Sequence, residues 1–471
     1  MIISDFKVLE KILKPEKIYN LYHFKPLKGF SLDSRSIARN EAFVAIKGKH
    51  HDGHFFIKKA IAKGASFIVA EEYIATKPKV PFFIVENSYQ ALRSIATYIR
   101  KKKNPFVFGI TGSLGKTTTK EVLSFLLGPH FKVLKNKGTE NNLLGVVKTC
   151  FSLRDEEIMI LELGTSMKGE IEALAGIATP DVGIITFVKP VHLEGLGSLR
   201  GVFNEKASLL KVNPKMKAIL NRDDPYLSKI GRSNKIYPVR SIKLKGRKIK
   251  TSNGVYWFGR EKNNHLFARL IGRHRGVSTF LIQGKYELSL PSYCEGFISN
   301  VLAAILGAKI LGLPLKELVE RIRDYRNFLP LRMQAEKHKG FSILNDAYNA
   351  NPHSLQMAFK GLADYPLKKI AVIGDMLELG EKSRYYHELL ASQIKRGKFD
   401  YCLTLGEHTQ YLVRKLKGLG YGKAFHFLSH KAIAQFINKK IGLSPKDKKR
   451  YLIFLKGSRK MELEKVIKYL R

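Results

Sequence analysis

Phe108-Gly109-Ile110-Thr111-Gly112-Ser113-Leu114-Gly115-Lys116-Thr117-Thr118-Thr119 is an apolar run entering a glycine-bearing loop, with a helical pattern beyond it. The run reads as a strand over Phe106–Thr111, and Lys116–Leu127 reads as the helix that the loop opens. Backbone N–H groups at such a junction, aided by the helix dipole, cradle phosphates. Lys116 adds a point charge, and Thr117 supplies a hydroxyl suited to Mg²⁺. The strict phosphate-loop pattern wants glycine where this chain has Ile110, so the match is to TGxxGKT.

Outward from this junction, strands and helices alternate. Glu157–Leu161 reads as a strand, Gly169–Ile177 as a helix ending before Pro180, and Val182–Phe187 as another strand. Alternation of this kind predicts a parallel sheet covered on both faces. Glu162 closes one of those strands beside the loop, where a carboxylate can hold the nucleotide's metal, and His192 follows another. Residues 235–290 are more irregular, and Gly296–Leu311 is a strongly apolar helix.

Upstream, a helical pattern from Gln90 to Arg100 ends in Arg100-Lys101-Lys102-Lys103-Asn104-Pro105, and Asn-Pro forbids its continuation. A second alternating series begins near Phe341, with apolar runs at Ile370–Gly374, Tyr401–Leu405 and Tyr451–Leu455. At roughly 150 residues per domain, 471 residues make about three domains. The expected division is 1–104, 105–329 and 330–471, all α/β, with a phosphate-loop parallel sheet in the middle and a Rossmann-like unit last.

With 44% hydrophobic residues, the chain is neither disordered nor a disulfide scaffold. Cys150, Cys294 and Cys402 lie far apart with no CxxC pair, which fits a reducing cytosol. No basic-then-apolar leader is seen, and the longest apolar stretch, Val301 to Leu313, is broken by Lys309 and too short for a bilayer. A soluble, cytoplasmic monomer is expected. The charge stands out: 83 Lys and Arg against 40 Asp and Glu give +43. That excess attracts polyanions, including an anionic membrane surface. It is scattered, without basic–aromatic clustering or a recognition helix, so no specific nucleic acid is expected.

Several blocks together resemble the Mur ligases of cell-wall peptide assembly, over nearly the whole chain. Leu32-Asp33-Ser34-Arg35 with Gly48, Asp52, Gly53 and His54 is similar to that family's uridine-nucleotide domain. The central loop, Asn141-Asn142, Glu162-Leu163-Gly164 and His192-Leu193-Glu194 match its ATP domain. Asn345-Asp346-Ala347-Tyr348-Asn349-Ala350-Asn351-Pro352, Gly374-Asp375-Met376-Leu377-Glu378-Leu379-Gly380 and Lys456-Gly457-Ser458-Arg459 match its last domain.

The resemblance implies ATP-driven amide formation, joining D-alanyl-D-alanine to UDP-N-acetylmuramoyl-tripeptide through an acyl phosphate. By resemblance, Thr111, Gly112, Ser113, Leu114, Gly115, Lys116, Thr117, Thr118, Asn300, Arg332 and Asp346 would bind ATP. Ser34, Arg35, Gly48, Asp52, Gly53, His54, Asn141 and Asn142 would hold the UDP-linked substrate. Thr117, Glu162, His192 and a carbamylated Lys206 would organise Mg²⁺, with Asn349 and Asn351 at the reacting groups or the incoming dipeptide. Departures cluster near ATP: Gly296-Phe297 replaces the usual His-Asn, Thr139 and Phe187 replace asparagines, and Ser208 a glutamate. Phe297 is expected to stack on adenine instead. The competing expectations are a sister ligase that adds another amino acid and, further off, a basic NTPase that binds nucleic acid.

Overall fold

The computed structural model describes residues 2–48, 51–230, 237–244, 247–325, 330–441 and 444–471, with the side chains of 237–244, 247–253, 441 and 445 set aside. Three sheets follow one another along the chain. The first has five strands in the spatial order Lys17–Tyr19, Phe82–Ile84, Ala65–Ala70, Glu41–Val44, Gly29–Ser31, and only its first pairing is antiparallel.

The second sheet has nine strands. Seven run parallel in the order Leu266–His274, Val255–Gly259, Lys217–Asn221, Val182–Ile185, Phe106–Thr111, Ile158–Glu162, Val133–Lys135. Val277–Ile282 and Tyr286–Pro291 extend it antiparallel beyond Leu266–His274. The region read as irregular therefore supplies the outer strands of this sheet and a two-stranded ribbon, Tyr237–Leu244 with Arg247–Asn253. The third sheet has six strands, Gln334–His338, Phe341–Asn345, Tyr451–Lys456, Lys368–Gly374, Tyr401–Leu405 and Ala424–Phe427, parallel except for its first pair.

The strand Phe106–Thr111 is buried at every position, as a central parallel strand covered on both faces must be. Over it lies the helix Ile298–Ile310, buried nearly all round and packed on Lys116–Leu127. With the 3₁₀ turn Ser292–Phe297 before it, the helical run Ser292–Ile310 is 19 residues, long and apolar enough by length and composition to cross a membrane, and it extends well before the stretch that begins at Val301. It is 67% buried within the protein and serves as a core helix here.

Helix Ser88–Lys103 ends at Asn104, whose left-handed conformation and N–H bond to Arg100 O close the last turn before Pro105. It is more than a connector. Leu92, Ile95 and Ile99 enter one apolar core with Val146, Val147 and Cys150 of helix Leu143–Ser152 and Ile171, Leu174 and Ile177 of helix Glu170–Ala178. Arg100 fastens the join: its guanidinium donates to Ala178 O at 2.7 Å and Thr179 O at 2.9 Å, at the carbonyl end of that helix. Arg100→Ala leaves those carbonyls short of a donor and is expected to cost about 2–3 kcal/mol, read as a lower denaturant midpoint at unchanged slope.

Candidate active site

The glycines of the loop are there because nothing larger fits. Gly115 has φ +77°, and a Cβ on it would lie 2.0 Å from Asn300 Oδ1; on Gly112, at φ +148°, it would meet the Thr186 hydroxyl at 2.0 Å. Side chains of the neighbouring segment brace the loop. Ser113 Oγ donates to Lys189 O and accepts from Lys189 N, both at 2.9 Å, and Thr186 Oγ1 donates to Leu114 O. Thr111 Oγ1 donates to Leu163 O at 3.0 Å, tying the loop to the strand that carries Glu162. Lys116 Nζ curls back to Gly112 O at 2.8 Å. Loss of hydration pulls its ammonium below the ordinary lysine range, Glu162 opposes that shift, and Arg332 adds to it. Thr117 is buried beside it and Thr118 half-buried.

Glu162 is 1% exposed. Its Oε1 accepts from Asn141 Nδ2 at 2.7 Å, while Oε2, equally shut from water, has no hydrogen-bond partner among the described residues. Lys206, on helix Leu199–Ala207, is also 1% exposed; burial pushes its ammonium well below the usual range and Lys116 pushes the same way. Its neighbour Glu205 is spent on the N–H groups of Gly169 and Ile171, at 2.7 and 2.8 Å, where helix Glu170–Ala178 begins. His192, at φ +51°, lies with Nδ1 against Glu378 Oε2 of the last sheet's domain, and that imidazole holds Glu378 below the ordinary carboxylate range. Such a contact fixes the ring and leaves Nε2 as the nitrogen for a ligand.

The last domain completes the wall. Arg332 stacks 4.1 Å from the Tyr348 ring centre, and Tyr348 OH donates to Thr139 Oγ1 at 2.6 Å, across the domain boundary. Asp346 accepts from Met333 N at 3.1 Å and pairs with buried Lys456, which also donates to Asn349 O at 3.0 Å. Asn351 caps the helix Pro352–Leu362 in a reciprocal box with Ser354. One cavity of about 600 Å³ is lined by the loop from Ser113 to Thr118, Asn141, Glu162, His192, Asn300, Arg332, Asp346, Asn349 and Asn351. Thr111 and Gly112 are buried, and Lys206, buried as well, has its ammonium pushed down further by the charge of Lys116.

The residues expected to hold the UDP-linked substrate lie elsewhere, apart from Asn141. Ser34 is buried, and Arg35 is an exposed fork bonded to Asp33 at 2.8–2.9 Å, which brings that carboxyl down to about 2. Gly48 closes a turn on His51 O, and a Cβ on Gly53 would strike Ile46 N at 2.6 Å. Both nitrogens of buried His54 are committed: Nδ1 to Asp52 at 2.6 Å, and Nε2 accepting from Glu71 N at 2.9 Å. His54 thus braces the loop from within. Asn142 caps helix Leu143–Ser152 through Gly145 N at 3.0 Å. Phe297 lines the cavity already stacked on Tyr325, with ring centres 6.0 Å apart.

Sequence reasoning gave no separate role to Lys120, Lys189 or His353, and placed Lys456 only within a family block. The cue for Lys120 was its i+4 spacing from Lys116; His353 next to the N1 proline of a helix gave no cue at all. His353 lines the cavity near Phe187, and burial, with Lys189, brings its imidazole down to about 4. The unfolded chain then binds the extra proton between pH 6.5 and 4, so stability falls as pH falls through that window. The loss is expected to be about 2–3 kcal/mol, and His353→Gln should flatten that part of the stability–pH curve.

Three family models match in order: "Mur ligase family, catalytic domain" over residues 26–107, "Mur ligase middle domain" over 110–308 and "Mur ligase, glutamate ligase domain" over 331–459. A UDP-N-acetylmuramoyl-tripeptide–D-alanyl-D-alanine ligase of Buchnera aphidicola is 31% identical, over 93% of this chain and 91% of its own length. A MurF ligase from Thermotoga maritima, solved in complex with ADP, is 27% identical and superposes with a TM-score of 0.78, covering 94% of this chain and 96% of that one. A MurF structure from Acinetobacter baumannii, 24% identical, has the same fold with a TM-score of 0.84 over 99% of both chains.

Proposed function

The chain belongs to the Mur ligase family, and we propose that it joins D-alanyl-D-alanine to UDP-N-acetylmuramoyl-tripeptide at the expense of ATP. The observation that carries the reading is the single cavity in which the phosphate loop and Glu162 of the middle domain face Arg332, Asp346 and Asn349 of the last. Phosphoryl transfer asks for in-line positioning and charge neutralisation. The tripeptide's terminal carboxylate attacks the γ-phosphorus, ADP leaves, and Lys116 with Arg332 meets the charge on the phosphoryl oxygens. The dipeptide's neutral amine then attacks the acyl carbon, phosphate departs and the amine loses a proton. Asn349 and Asn351 are suited to orient that amine, and the second step needs a site from which water is kept away from the acyl phosphate.

The residues present fit a magnesium ion. A buried carboxylate oxygen without a donor, the Thr117 hydroxyl and an imidazole steadied by Glu378 offer the oxygen and nitrogen ligands required. Among the described residues no three His, Cys, Asp or Glu side chains form a metal cage, which suits an ion shared with nucleotide phosphates. Mg²⁺ bound with ATP would neutralise charge on the β- and γ-phosphates, held by Thr117, Glu162, His192 and the carbamate of Lys206. Lys206 is suited to that modification because burial and the charge of Lys116 both disfavour its ammonium form. Ser34, Arg35 and the loop from Gly48 to His54 would bind the UDP moiety, with Asn141 and Asn142. Asn300 and Asp346 would bind the nucleoside of ATP, and Phe297 would meet adenine edge-on or as a stack extended from Tyr325. The reaction belongs in the cytoplasm, where ATP is found, and the enzyme acts as a monomer.

The test is phosphate release from Mg·ATP with the UDP-linked tripeptide, with and without D-alanyl-D-alanine. Release that needs both, with a pentapeptide product by mass, is the expected result. Release supported equally by single amino acids would favour the sister ligase. Lys116→Ala and Glu162→Gln are each expected to lower kcat by about 10³-fold with the fold intact by circular dichroism.

A further inference from the structure

Lys116 and Lys120 stand four residues apart on one helix face, yet the chemistry described so far uses only the first. Lys120 is 0% exposed, a depth that lysine reaches only when its donors are met. Its ammonium donates to Asn136 O at 2.8 Å and to Gly138 O, and Glu121 Oε1 lies 3.3 Å away. Glu162 Oε2 is 4.0 Å off, beyond hydrogen bonding but well within reach of charge. The two carbonyls and Glu121 take up the donors. Glu162 Oε2 therefore has its charge balanced while its lone pairs stay without a partner.

The 136–141 turn that Lys120 holds carries much of the site. Asn136 brackets the backbone of Glu162, accepting from its N–H at 2.9 Å and donating to its carbonyl at 3.0 Å. Asn141 binds Glu162 Oε1, and Thr139 accepts from Tyr348, the ring beneath Arg332. We infer that Lys120 is a positioning residue for the ligation: it fixes this turn so that Glu162 keeps one oxygen free toward a nucleotide-bound cation while Thr139 and Tyr348 steady Arg332. The inference rests on the ligase reading of the same cavity.

The full-length enzyme and its Lys120→Met, Lys120→Arg and Thr139→Val variants decide it. The readouts are kcat, KM for ATP, and Mn²⁺ affinity in the presence of ADP by electron paramagnetic resonance. Lys120→Met should lose kcat by about 100-fold, shift KM for ATP by no more than about threefold, and weaken Mn²⁺ about tenfold. Lys120→Arg should recover about a tenth of native kcat, and Thr139→Val should lose about tenfold in kcat at native Mn²⁺ affinity. Native-like kcat and Mn²⁺ affinity in Lys120→Met would overturn the inference, as would a Lys120→Arg enzyme no better than Lys120→Met. If Lys120→Met does not fold, native kcat in Thr139→Val overturns it and the expected loss sustains it. A native enzyme lacking dipeptide-dependent phosphate release would sink the ligase reading instead, and the Mn²⁺ measurement would still decide the role of Lys120.

Discussion

A carboxylate oxygen sealed from water with no hydrogen donor is costly, and Glu162 Oε2 is in that position. The surroundings make it tolerable without satisfying it. Asn141 occupies the other oxygen, and Lys120 supplies opposite charge from 4.0 Å. Lys116 and Arg332 raise the positive potential of the same cavity, and the charge of Lys116 adds to the burial that disfavours the ammonium of Lys206. Cations at such density need a polyanion to become comfortable. A nucleotide triphosphate with its metal answers both the surplus of positive charge and the unused oxygen, so the energy of binding is already stored in the arrangement of the protein groups.

The three sheets are not joined in the same way. The first two share an apolar core through helix Ser88–Lys103. The third meets the second across mixed contacts: His192 with Glu378, Leu193 N on Glu378 O at 3.2 Å, Tyr348 on Thr139, and helix Pro352–Leu362 packed on the turn Ser292–Phe297, where Tyr293 joins the apolar core of the last sheet. The last domain brings Arg332 and Asn349 to the wall of the cavity it shares with the second.

Much of this was readable in the sequence, and the reasons are physical. The strand Phe106–Thr111 and helix Lys116–Leu127 fall at the expected residues because a fully buried run and a glycine turn leave few alternatives. Helix Ile298–Ile310 begins later than expected, since Ser292–Phe297 winds as a tighter 3₁₀ turn that periodicity does not distinguish. The bond that His54 takes from Glu71 N, seventeen residues on, was not legible, because pairings at that range leave no local trace. Lys120 was hidden for the same reason, because its carbonyl partners come from the turn after the next strand. His192 and Arg332 were found through family likeness, as neither stands out by pattern.

The core shared between the first two sheets has a consequence during synthesis. When residue 103 leaves the ribosome, the first sheet is complete, but Leu92, Ile95 and Ile99 still lack the part of their cover that later helices supply. Their cover includes helix Glu170–Ala178, roughly 75 residues further along. At bacterial elongation speeds that delay is about 4–15 s, long against the microseconds a helix needs to form. The opening fifth of this chain is therefore born with a partly uncovered apolar face, and its escape from aggregation depends on how quickly the ribosome delivers the segment that covers it.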